Sequence, residues 1–506
     1  MDMNTSSRIG VIDGLHVPLQ FQDNSRREVE RTDEKVIELL DFYSGKTLAQ
    51  IKQESSHAAD GLLVIGEIEN IKNDAPIYTL YRKEKDGQDI FSLQTGNIMG
   101  VFTLRRDDVA VRMVIGSRFD DNDKQPFLCW MLERVLKVNL TDYVSSSSSE
   151  FWAILLELLF WHRLGEASRV GLYRQYQKVD YNDLRFRGKL DVDRHIRLNM
   201  PLWAKIAYSR REIILDNPVN HLLRYAANII TSKLAKSGTN GVLSRNSDAR
   251  KMLLAIETNT PSWTPDRQNA VLRDRTTTGK ITQPYYAEYY EELRVLARYI
   301  ILHMGADVYS ESAARNEHSI NGIILDGSWL WEEYLASILE RKSFIHAIPP
   351  DNPRQEGTAP IYAMSDEGNS PRRPLYPDFR LPVNGNAQNS LAVLDAKYKK
   401  GDARGGISVR RQDMHQCLAY MLLTGAKVAG VVYPPRLKDD GDDKDEVEDR
   451  MSGFWRVNAP YPGLFWKSFT FSTWDDEQDF TAVMKKNEQN FEEYLENIIT
   501  RAQQRS

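Results

Sequence analysis

A short apolar strand that ends in charged residues is the feature that most constrains the fold of this chain. Residues 391–394 form a continuous apolar run, which is typical of a β-strand covered on both faces. Asp395 and Lys397 follow, and because side chains alternate along a strand they share one face while Ala396 points to the other. Burying charged groups is costly unless they pair with one another or hold a metal ion. The sequence therefore predicts a sheet with a reactive site at the end of this strand.

A second carboxylate is predicted opposite the first. Asn384-Gly385 opens a polar loop that runs to Asn389, and β-prone residues flank it on both sides, which predicts a β-hairpin. If Val383 and Ser390 close this loop, Asp378 lies opposite Asp395. The alternative is a surface hairpin whose ion pair is screened by solvent and contributes only ~0–1 kcal/mol.

The three charged residues of this hairpin suit a metal-dependent phosphodiesterase. Asp378, Asp395 and the backbone carbonyl of Ala396 form a partial oxygen cage that fits Mg²⁺, and Mn²⁺ is an expected substitute. A bound ion lowers the pKa of a water molecule and offsets charge on the transition state. Lys397 would orient or help to deprotonate that water, or stabilise the phosphate charge.

Upstream of the hairpin, residues 329–339 are predicted to form a helix, because their apolar positions form a stripe at helical spacing. Glu332 or Glu333 lies at the edge of this stripe. On spacing alone, a solvated helix carboxylate is the more common outcome for either residue.

Downstream of the hairpin, residues 413–423 are predicted to form a second helix. Gln416 and Tyr420 are four positions apart and therefore lie on one face of it. A β-branched run over residues 428–433, ended by two prolines, predicts the next strand. The alternative for Gln416 and Tyr420 is a helix face that packs on the sheet.

The order of helix, hairpin, helix and strand resembles the PD-(D/E)xK nuclease superfamily. In that superfamily a helix with a Glu precedes the Asp and Asp-x-Lys strands, and a Gln-x-x-x-Tyr helix often follows. By this resemblance Glu332 matches the helix acid, because Leu330-Trp331-Glu332-Glu333-Tyr334 is similar to the superfamily's Leu-Phe-Glu-x-Tyr. Gln416 and Tyr420 match the later helix, where they would support the site or contact the backbone of double-stranded DNA.

A narrower resemblance covers roughly residues 90–435. Short blocks that occur in order resemble McrC-type restriction subunits, including the LlaJI branch: Leu93-Gln-Thr-Gly-Asn-Ile-Met-Gly-Val-Phe, Ser117-Arg-Phe-Asp, Phe127-Leu-Cys-Trp-Met-Leu-Glu-Arg-Val-Leu, Gly171-Leu-Tyr-Arg-Gln-Tyr, Arg187-Gly-Lys-Leu-Asp-Val and Asn217-Pro-Val-Asn-His-Leu-Leu. This resemblance implies the Mg²⁺-dependent DNA endonuclease subunit of a phage-defence restriction system. It also implies a separate McrB-like AAA+ GTPase or ATPase hexamer into which the first half of the chain docks, stimulating nucleotide hydrolysis, and dimerisation of the assembled complex.

The chain itself is not expected to bind nucleotide. Residues 274–281 are its nearest match to a phosphate-binding loop, but Asp274 replaces the first Gly and Ile281 replaces the Mg²⁺-binding Ser or Thr. The segment is interpreted as a linker, and the motor is expected to be another polypeptide.

Composition limits how the chain can hold DNA. A net charge of -5 argues against binding by bulk charge, because affinity depends on the Lys and Arg residues that contact phosphate. DNA contact is therefore expected to be local or supplied by the partner. Cys129 and Cys417 fall in apolar helical patterns and are expected to be reduced core residues. The chain has no apolar stretch long enough for a signal peptide or a membrane span, so a cytoplasmic, prokaryotic location is expected.

These patterns together predict a mixed multidomain α/β fold. A β-containing N-terminal, partner-docking domain is expected over residues 1–140, a mainly helical region over 150–305 with a β-rich insert at about 170–207, and a PD-(D/E)xK restriction-endonuclease-like core over 322–475. A C-terminal helix is expected over 476–506, and Ser149 is expected to cap the helix that follows it. Helical patterns in the middle region run over residues 150–164, 220–236, 247–258 and 288–304.

Two other functions are compatible with the same residues. The chain could be a non-catalytic adaptor that activates an AAA+ partner, or a stand-alone DNA repair nuclease. The intact set of Asp378, Asp395 and Lys397 favours the nuclease subunit, since a scaffold has no need of buried charge. The DNA target cannot be predicted from this sequence.

Overall fold

The structure of the protein is a computed structural model. It describes residues 11–12, 15–16, 19–22, 26–29, 34–47, 50–51, 61–65, 76–85, 88–106, 109–120, 125–137, 148–201, 204–237, 246–304, 318–346, 361–365, 371–383, 386–399, 411–434, 454–457, 463–470 and 480–504.

Helices and strands are both well represented among these residues, which confirms the predicted mixed α/β fold. The helices are α1 (Glu34–Tyr43), α2 (Pro126–Leu136), α3 (Ser148–Ala167), α4 (Val192–Asn199), α5 (Pro218–Ser237), α6 (Ser247–Asn259), α7 (Gln268–Arg273), α8 (Arg275–Thr278), α9 (Pro284–Met304), α10 (Gly327–Leu339), α11 (Arg411–Thr424) and α12 (Phe480–Gln503). The strands are β1 (Val11–Ile12), β2 (Leu15–His16), β3 (Leu19–Gln22), β4 (Arg26–Val29), β5 (Gly61–Ile65), β6 (Tyr78–Lys85), β7 (Gln88–Thr95), β8 (Ile98–Arg106), β9 (Val109–Gly116), β10 (Gln175–Asp183), β11 (Lys189–Leu190), β12 (Ile206–Ile214), β13 (His318–Asp326), β14 (Ile345–His346), β15 (Ile361–Ser365), β16 (Pro371–Leu375), β17 (Phe379–Val383), β18 (Asn386–Ala396), β19 (Val428–Tyr433), β20 (Phe454–Val457) and β21 (Gly463–Thr470).

The chain divides into two compact units, and the first combines both of its ends. Unit 1 comprises residues 1–152 and 316–506, and unit 2 comprises residues 153–315. In unit 1 an N-terminal sheet has the strand order β3-β9-β8-β13-β5, in which β13 is antiparallel to β8 and parallel to β5. Helix α1 buries Val36, Leu39, Leu40 and Tyr43, a spacing that forms one apolar face, in the same core as residues of β8 and β9.

A second sheet of unit 1 carries the predicted site. Its order is β14-β17-β18-β19-β21-β20, and β18 is parallel to β19 and antiparallel to β17. Ala392, Val393 and Leu394 of β18 are at most 1% exposed. Helix α11 covers one face, where Cys417 and Tyr420 share a core with Val393. The prediction of a strand covered on both faces is therefore confirmed.

The register of the hairpin is as predicted near the site and different near the turn. Phe379 pairs with Leu394 and Leu381 pairs with Ala392, which is the predicted alignment. The expected closing pair of Val383 and Ser390 is wrong, because Ser390 pairs with Pro382 and β18 already begins at Asn386. The register shifts on both sides of Pro382, which has no N–H for the ladder. Residues 386–389 therefore belong to the strand, not to the loop.

Unit 2 combines helices with a small sheet of order β10-β12-β11. Helices α5, α6 and α9 lie over the ranges predicted from helical spacing. The segment predicted to be β-rich at about 170–207 contains β10 and β11, but it also contains helix α4. Asp191 caps this helix by accepting a hydrogen bond from Arg194 N at 3.1 Å.

Two other local predictions are corrected. Helix α3 begins at Ser148, so Ser149 is a helical residue and not its cap. The segment interpreted as a linker contains the short helix α8, which Asp274 caps through a 2.8 Å hydrogen bond from Thr276 N. The predicted limits of the domains stay a prediction. No helix within the described residues is long and apolar enough to cross a membrane.

Candidate active site

Two carboxylates meet at the carboxyl end of β18. Asp395, the next-to-last residue of this strand, is completely buried. Asp378 lies directly before β17, and its Oδ2 accepts a 2.7 Å hydrogen bond from the backbone N–H of Ala396. The pairing of Phe379 with Leu394 places Asp378 next to Asp395 across the hairpin. The predicted alignment of the two carboxylates is confirmed.

Lys397 pairs with Asp395, as predicted from their alternate positions. Its Nζ lies 2.6 Å from Asp395 Oδ2. Both carboxylate oxygens of Asp395 are buried, and apart from Lys397 and the neighbouring Asp378 no described residue offers them a hydrogen-bond donor. Buried acceptors that lack a donor are costly, and such oxygens suit a cation.

The ammonium group of Lys397 is held in its charged form. Burial disfavours the charge, but the carboxylates of Asp395 and Asp378 outweigh this effect and raise the lysine pKa above its usual value. At neutral pH the Nζ atom is therefore a hydrogen-bond donor and not a proton acceptor.

Glu332 of α10 interacts electrostatically with Asp395 and Lys397 of this site. Burial, followed by the charges of neighbouring carboxylates that include Asp395, raises the pKa of Glu332 to about 8. The ammonium of Lys397 acts in the opposite direction, so both site residues lie within electrostatic reach of Glu332. Glu333 Oε1 lies 4.0 Å from Nδ1 of His346. Of the two candidates from the sequence, Glu332 stays the predicted site residue.

The site holds more carboxylates than it can neutralise by itself. Burial raises the pKa values of Asp378 and Asp395, and the charges of Asp395 and Glu332 raise that of Asp378 further. Lys397 offsets one negative charge only. Among the described residues, no three Asp, Glu, His or Cys side chains are grouped closely enough to hold a metal ion by themselves. The donor set therefore fits a cation held by two carboxylates and completed by other oxygen ligands, for which the carbonyl of Ala396 stays the predicted candidate.

Gln416 and Tyr420 lie on one face of α11, as predicted. Gln416 Nε2 donates a 2.8 Å hydrogen bond to the hydroxyl of Tyr420. Tyr420 is buried, and burial raises its pKa to about 12, with smaller effects from Asp395 and Asp378. Tyr420 therefore lies within electrostatic reach of the two carboxylates, and the function of both residues stays a prediction.

Two residues near the site were not identified from the sequence. Asp413 of α11 is buried, and its Oδ1 and Oδ2 lie 3.1 and 3.4 Å from Nζ of Lys399. Lys399 continues the alternation of Asp395 and Lys397, and this spacing could have indicated it. Asp413 could not be found in this way because its contact depends on how α11 packs. Lys399 belongs to a basic segment of the sequence, residues 397–411, of which residues 400–410 lie outside the described residues.

Comparison with known proteins finds similar chains among solved structures. Among solved structures, the chain is similar to one in a refined half-complex from a tetradecameric assembly of Thermococcus gammatolerans McrB AAA+ hexamers with bound McrC, with 16% identity, 96% of this chain and 100% of that chain covered, and a TM-score of 0.49. It is also similar to a chain in the cryo-EM structure of the Thermococcus gammatolerans McrBC complex, with 15% identity, 64% and 88% covered, and a TM-score of 0.33. The chain has no match among curated proteins.

A family model provides the assignment that these structures do not. The model described as McrBC 5-methylcytosine restriction system component matches residues 93–434. This range begins with the first sequence block that resembles McrC-type subunits, and it ends one residue after β19. It contains Asp378, Asp395 and Lys397. Because the match covers more than half of its length, this chain belongs to the McrBC 5-methylcytosine restriction system component family.

Proposed function

We propose that this chain is the Mg²⁺-dependent DNA endonuclease subunit of a McrBC-like restriction system and that an AAA+ partner activates it. The observation that carries the proposal is the buried Asp395, whose two oxygens have only Lys397 and Asp378 beside them and no other donor among the described residues. A strand end of this kind is costly in a scaffold and useful in a phosphodiesterase.

Asp378, Asp395 and the carbonyl of Ala396 are the proposed ligands of Mg²⁺, for which Mn²⁺ is an expected substitute. When bound, the ion supplies an activated water and offsets negative charge on the phosphate. Lys397 acts as a donor, because its raised pKa keeps Nζ protonated, so it orients the nucleophilic water or stabilises the phosphate oxygens. Glu332 assists from α10, where its raised pKa allows its carboxyl group to hold a proton at neutral pH.

The hydrogen bond from Ala396 N–H to Asp378 helps to hold the two carboxylates in position before a metal ion binds. It links the end of β18 to the residue before β17, so the two carboxylates keep a fixed separation without a metal ion. Tyr420 interacts electrostatically with Asp395 and Asp378 and is bonded to Gln416, and both residues are proposed to support the site or contact the DNA backbone.

Family membership supports the proposed partner. The family description names a component of a restriction system, and the sequence blocks of the first half resemble subunits that dock with a McrB-like AAA+ GTPase or ATPase. The proposed partner is a hexamer whose nucleotide hydrolysis this chain stimulates, and dimerisation of the full complex is part of the proposal. This chain is proposed to bind no nucleotide itself.

The decisive experiment compares Asp395→Asn with the wild type, each purified with its AAA+ partner. DNA cleavage in Mg²⁺ and nucleotide hydrolysis by the partner are measured on the same DNA sequence with and without 5-methylcytosine. Asp395→Asn keeps the shape of the side chain but removes its charge, so we expect cleavage to fall by more than about 10³-fold while hydrolysis is retained. Glu493→Gln, an exposed change on α12, is the control.

Each other outcome contradicts the proposal in a recognisable way. Unchanged cleavage by Asp395→Asn would exclude this carboxylate from the chemistry. Wild-type protein that stimulates hydrolysis but never cuts DNA would be a non-catalytic adaptor. Cleavage by the isolated chain without nucleotide would favour a stand-alone repair nuclease.

A further inference from the structure

Tyr398, which lies between Lys397 and Lys399, contacts the N-terminal sheet of unit 1. Its hydroxyl donates to Met99 Sδ at 3.5 Å and lies 3.4 Å from the hydroxyl of Ser117. Only 5% of Tyr398 is exposed. The residue that follows the proposed catalytic lysine is thus enclosed by a part of the chain almost 300 positions away.

The ring of Tyr398, more than its hydroxyl, makes the close contacts. The guanidinium carbon of Arg118 lies 4.6 Å from the ring centroid, and the ring of Phe119 meets it edge to face at 4.9 Å. Arg118 is buried, and its Nη2 donates a 2.6 Å hydrogen bond to Asn97 Oδ1. The hydroxyl contact with Ser117 is long for a hydrogen bond, and the thioether of Met99 is a weak acceptor. Removing the ring is therefore expected to matter more than removing the hydroxyl.

The same ring also contacts the start of α10, the helix that carries Glu332. A Cβ atom on Gly327 would lie 2.4 Å from Cε1 of Tyr398, so only glycine leaves room for the ring. Asn97 holds this helix start as well, because its carbonyl accepts a 2.9 Å hydrogen bond from Gly327 N and its Nδ2 donates to Ser328 Oγ at 3.1 Å.

We propose that Tyr398 is a positioning residue through which the N-terminal sheet fixes Lys397 and Glu332 in the active site. The Tyr398 joint consists of Asn97, Arg118, Phe119, Gly327 and Tyr398. It connects Asn97, which lies between β7 and β8, and the segment after β9 to the end of β18 and to the start of α10, so displacement of this side of the joint moves both site residues together. The role in cleavage rests on the proposed nuclease function, whereas the mechanical link does not.

Four single variants test the joint in the complex with the AAA+ partner. Tyr398→Leu removes the π face and Arg118→Met removes the cation, and each is expected to lower kcat for DNA cleavage by about 10- to 100-fold with KM nearly unchanged. Tyr398→Phe keeps the ring and is expected to stay within about twofold of the wild type. Arg118→Lys keeps a cation and is expected to recover part of the loss.

A double variant and a control separate positioning from general destabilisation. Because Arg118 and Tyr398 act through one contact, kcat of the double variant Arg118→Met with Tyr398→Leu is expected to match that of the worse single variant. Phe102→Leu is the control. It is a buried aromatic-to-aliphatic change on β8, the strand that carries Met99, and it is expected to lower stability without lowering kcat.

Hydrogen exchange of the full chain tests the link without reference to cleavage. Lys397 N donates to Val432 O at 3.0 Å, and Gly327 N donates to Asn97 O, so both amides report on the joint. Arg118→Met and Tyr398→Leu are expected to accelerate exchange at both amides by at least about 10-fold, and Phe102→Leu at neither. Unchanged exchange in a folded Tyr398→Leu protein overturns the proposal. A kcat of the Tyr398→Leu protein equal to that of the wild type also overturns the proposal, provided that the wild type cleaves DNA. If the wild type never cleaves, the nuclease function fails, and the exchange result alone decides whether the joint exists.

Discussion

The buried carboxylate of Asp395 opposes folding in the isolated chain and serves the proposed chemistry. Apart from Lys397 and Asp378, no described residue offers its oxygens a hydrogen-bond donor, and the single ammonium of Lys397 is shared among neighbouring carboxylates. A hydrophobic residue at the end of a covered strand would avoid this cost. The charge is therefore explained by a function that depends on it.

Replacement of the two adjacent acids of α10 is expected to have unequal effects. Glu332→Gln should lower DNA cleavage by about 10²-fold or more, because Glu332 lies within electrostatic reach of Asp395 and Lys397. Glu333→Gln should change cleavage by less than about threefold, since its carboxylate lies 4.0 Å from His346 instead. Single-turnover cleavage by the two variants is the measurement. Equal losses, or a larger loss for Glu333→Gln, would contradict the assignment.

His346 is expected to make stability depend on pH. Its ring stacks on Phe379 at 4.9 Å between centroids, and burial lowers its pKa to about 4 from an ordinary value of 6.5. Because the folded pKa is the lower one, the unfolded chain binds the proton more readily. The contribution of His346 to the free energy of unfolding is therefore fully present above pH 6.5 and is lost as the pH falls through about 4. This contribution amounts to about 3 kcal/mol.

Urea unfolding near pH 7 and near about pH 4.5 tests this effect against His346→Phe, which keeps an aromatic ring for Phe379 but cannot titrate. Between the two pH values the variant should lose about 2 to 3 kcal/mol less stability than the wild type. Parallel losses in the two proteins would show that His346 does not titrate as its burial requires.

At the scale of elements, sequence spacing predicted what depends on local pattern. The alternation of Asp395 and Lys397 predicted that they share a face, and the two residues form an ion pair. The spacing of Gln416 and Tyr420 predicted the same for them, and a hydrogen bond joins the two side chains. The position of the hairpin turn was missed, because the register shift at Pro382 depends on which partner each strand residue finds. The contacts of Asp413 and Tyr398 were not predicted from the sequence for a similar reason. Their contacts join elements that are distant in sequence and have no local pattern.

The carboxylate of Glu488 joins three helices of unit 1. Glu488 of α12 accepts hydrogen bonds from Trp130 Nε1 of α2 and from the Tyr334 hydroxyl of α10, both at 3.0 Å, and pairs with Arg134 at 2.8 Å. Its side chain is 11% exposed. Because two buried donors would lose this acceptor, removal of Glu488 should be more costly than loss of one exposed ion pair.

We expect Glu488→Leu to lower the free energy of unfolding by about 2 to 4 kcal/mol, measured by chemical denaturation. Glu493→Leu, an exposed change on the same helix, should stay within about 0.5 kcal/mol. A smaller effect for Glu488→Leu than for Glu493→Leu would mean that α2, α10 and α12 do not depend on this carboxylate.

At the scale of the whole molecule, the two ends of the chain form one unit. Strand β13, which directly precedes α10, pairs with β8 more than 200 residues earlier and with β5. This pairing was not predicted from the sequence, because a local pattern cannot identify the partner of β13. Because of this pairing, helix α10, which carries Glu332, begins directly after a strand of the N-terminal sheet.

Unit 2 exposes apolar side chains next to basic ones, as expected of a surface that binds a partner. Leu184 and Phe186 are 75% and 51% exposed, and they alternate with Arg185 and Arg187. Isolated apolar residues are common on surfaces, but adjacent large ones indicate an interface. This segment lies in the first half of the chain, which is proposed to dock with the AAA+ partner.

The double variant Leu184→Ser with Phe186→Ser tests that surface. Because both side chains are exposed, we expect its melting temperature to stay near that of the wild type, while stimulation of the partner's nucleotide hydrolysis falls by about 10-fold or more. Leu254→Ser is the matched control, since Leu254 is 63% exposed on α6 of the same unit. Hydrolysis is measured at increasing concentrations of each variant, so that weaker binding is distinguished from a lower maximal rate. If the double variant and Leu254→Ser stimulate hydrolysis equally, the partner does not use this surface, and the docking site must lie elsewhere on the chain.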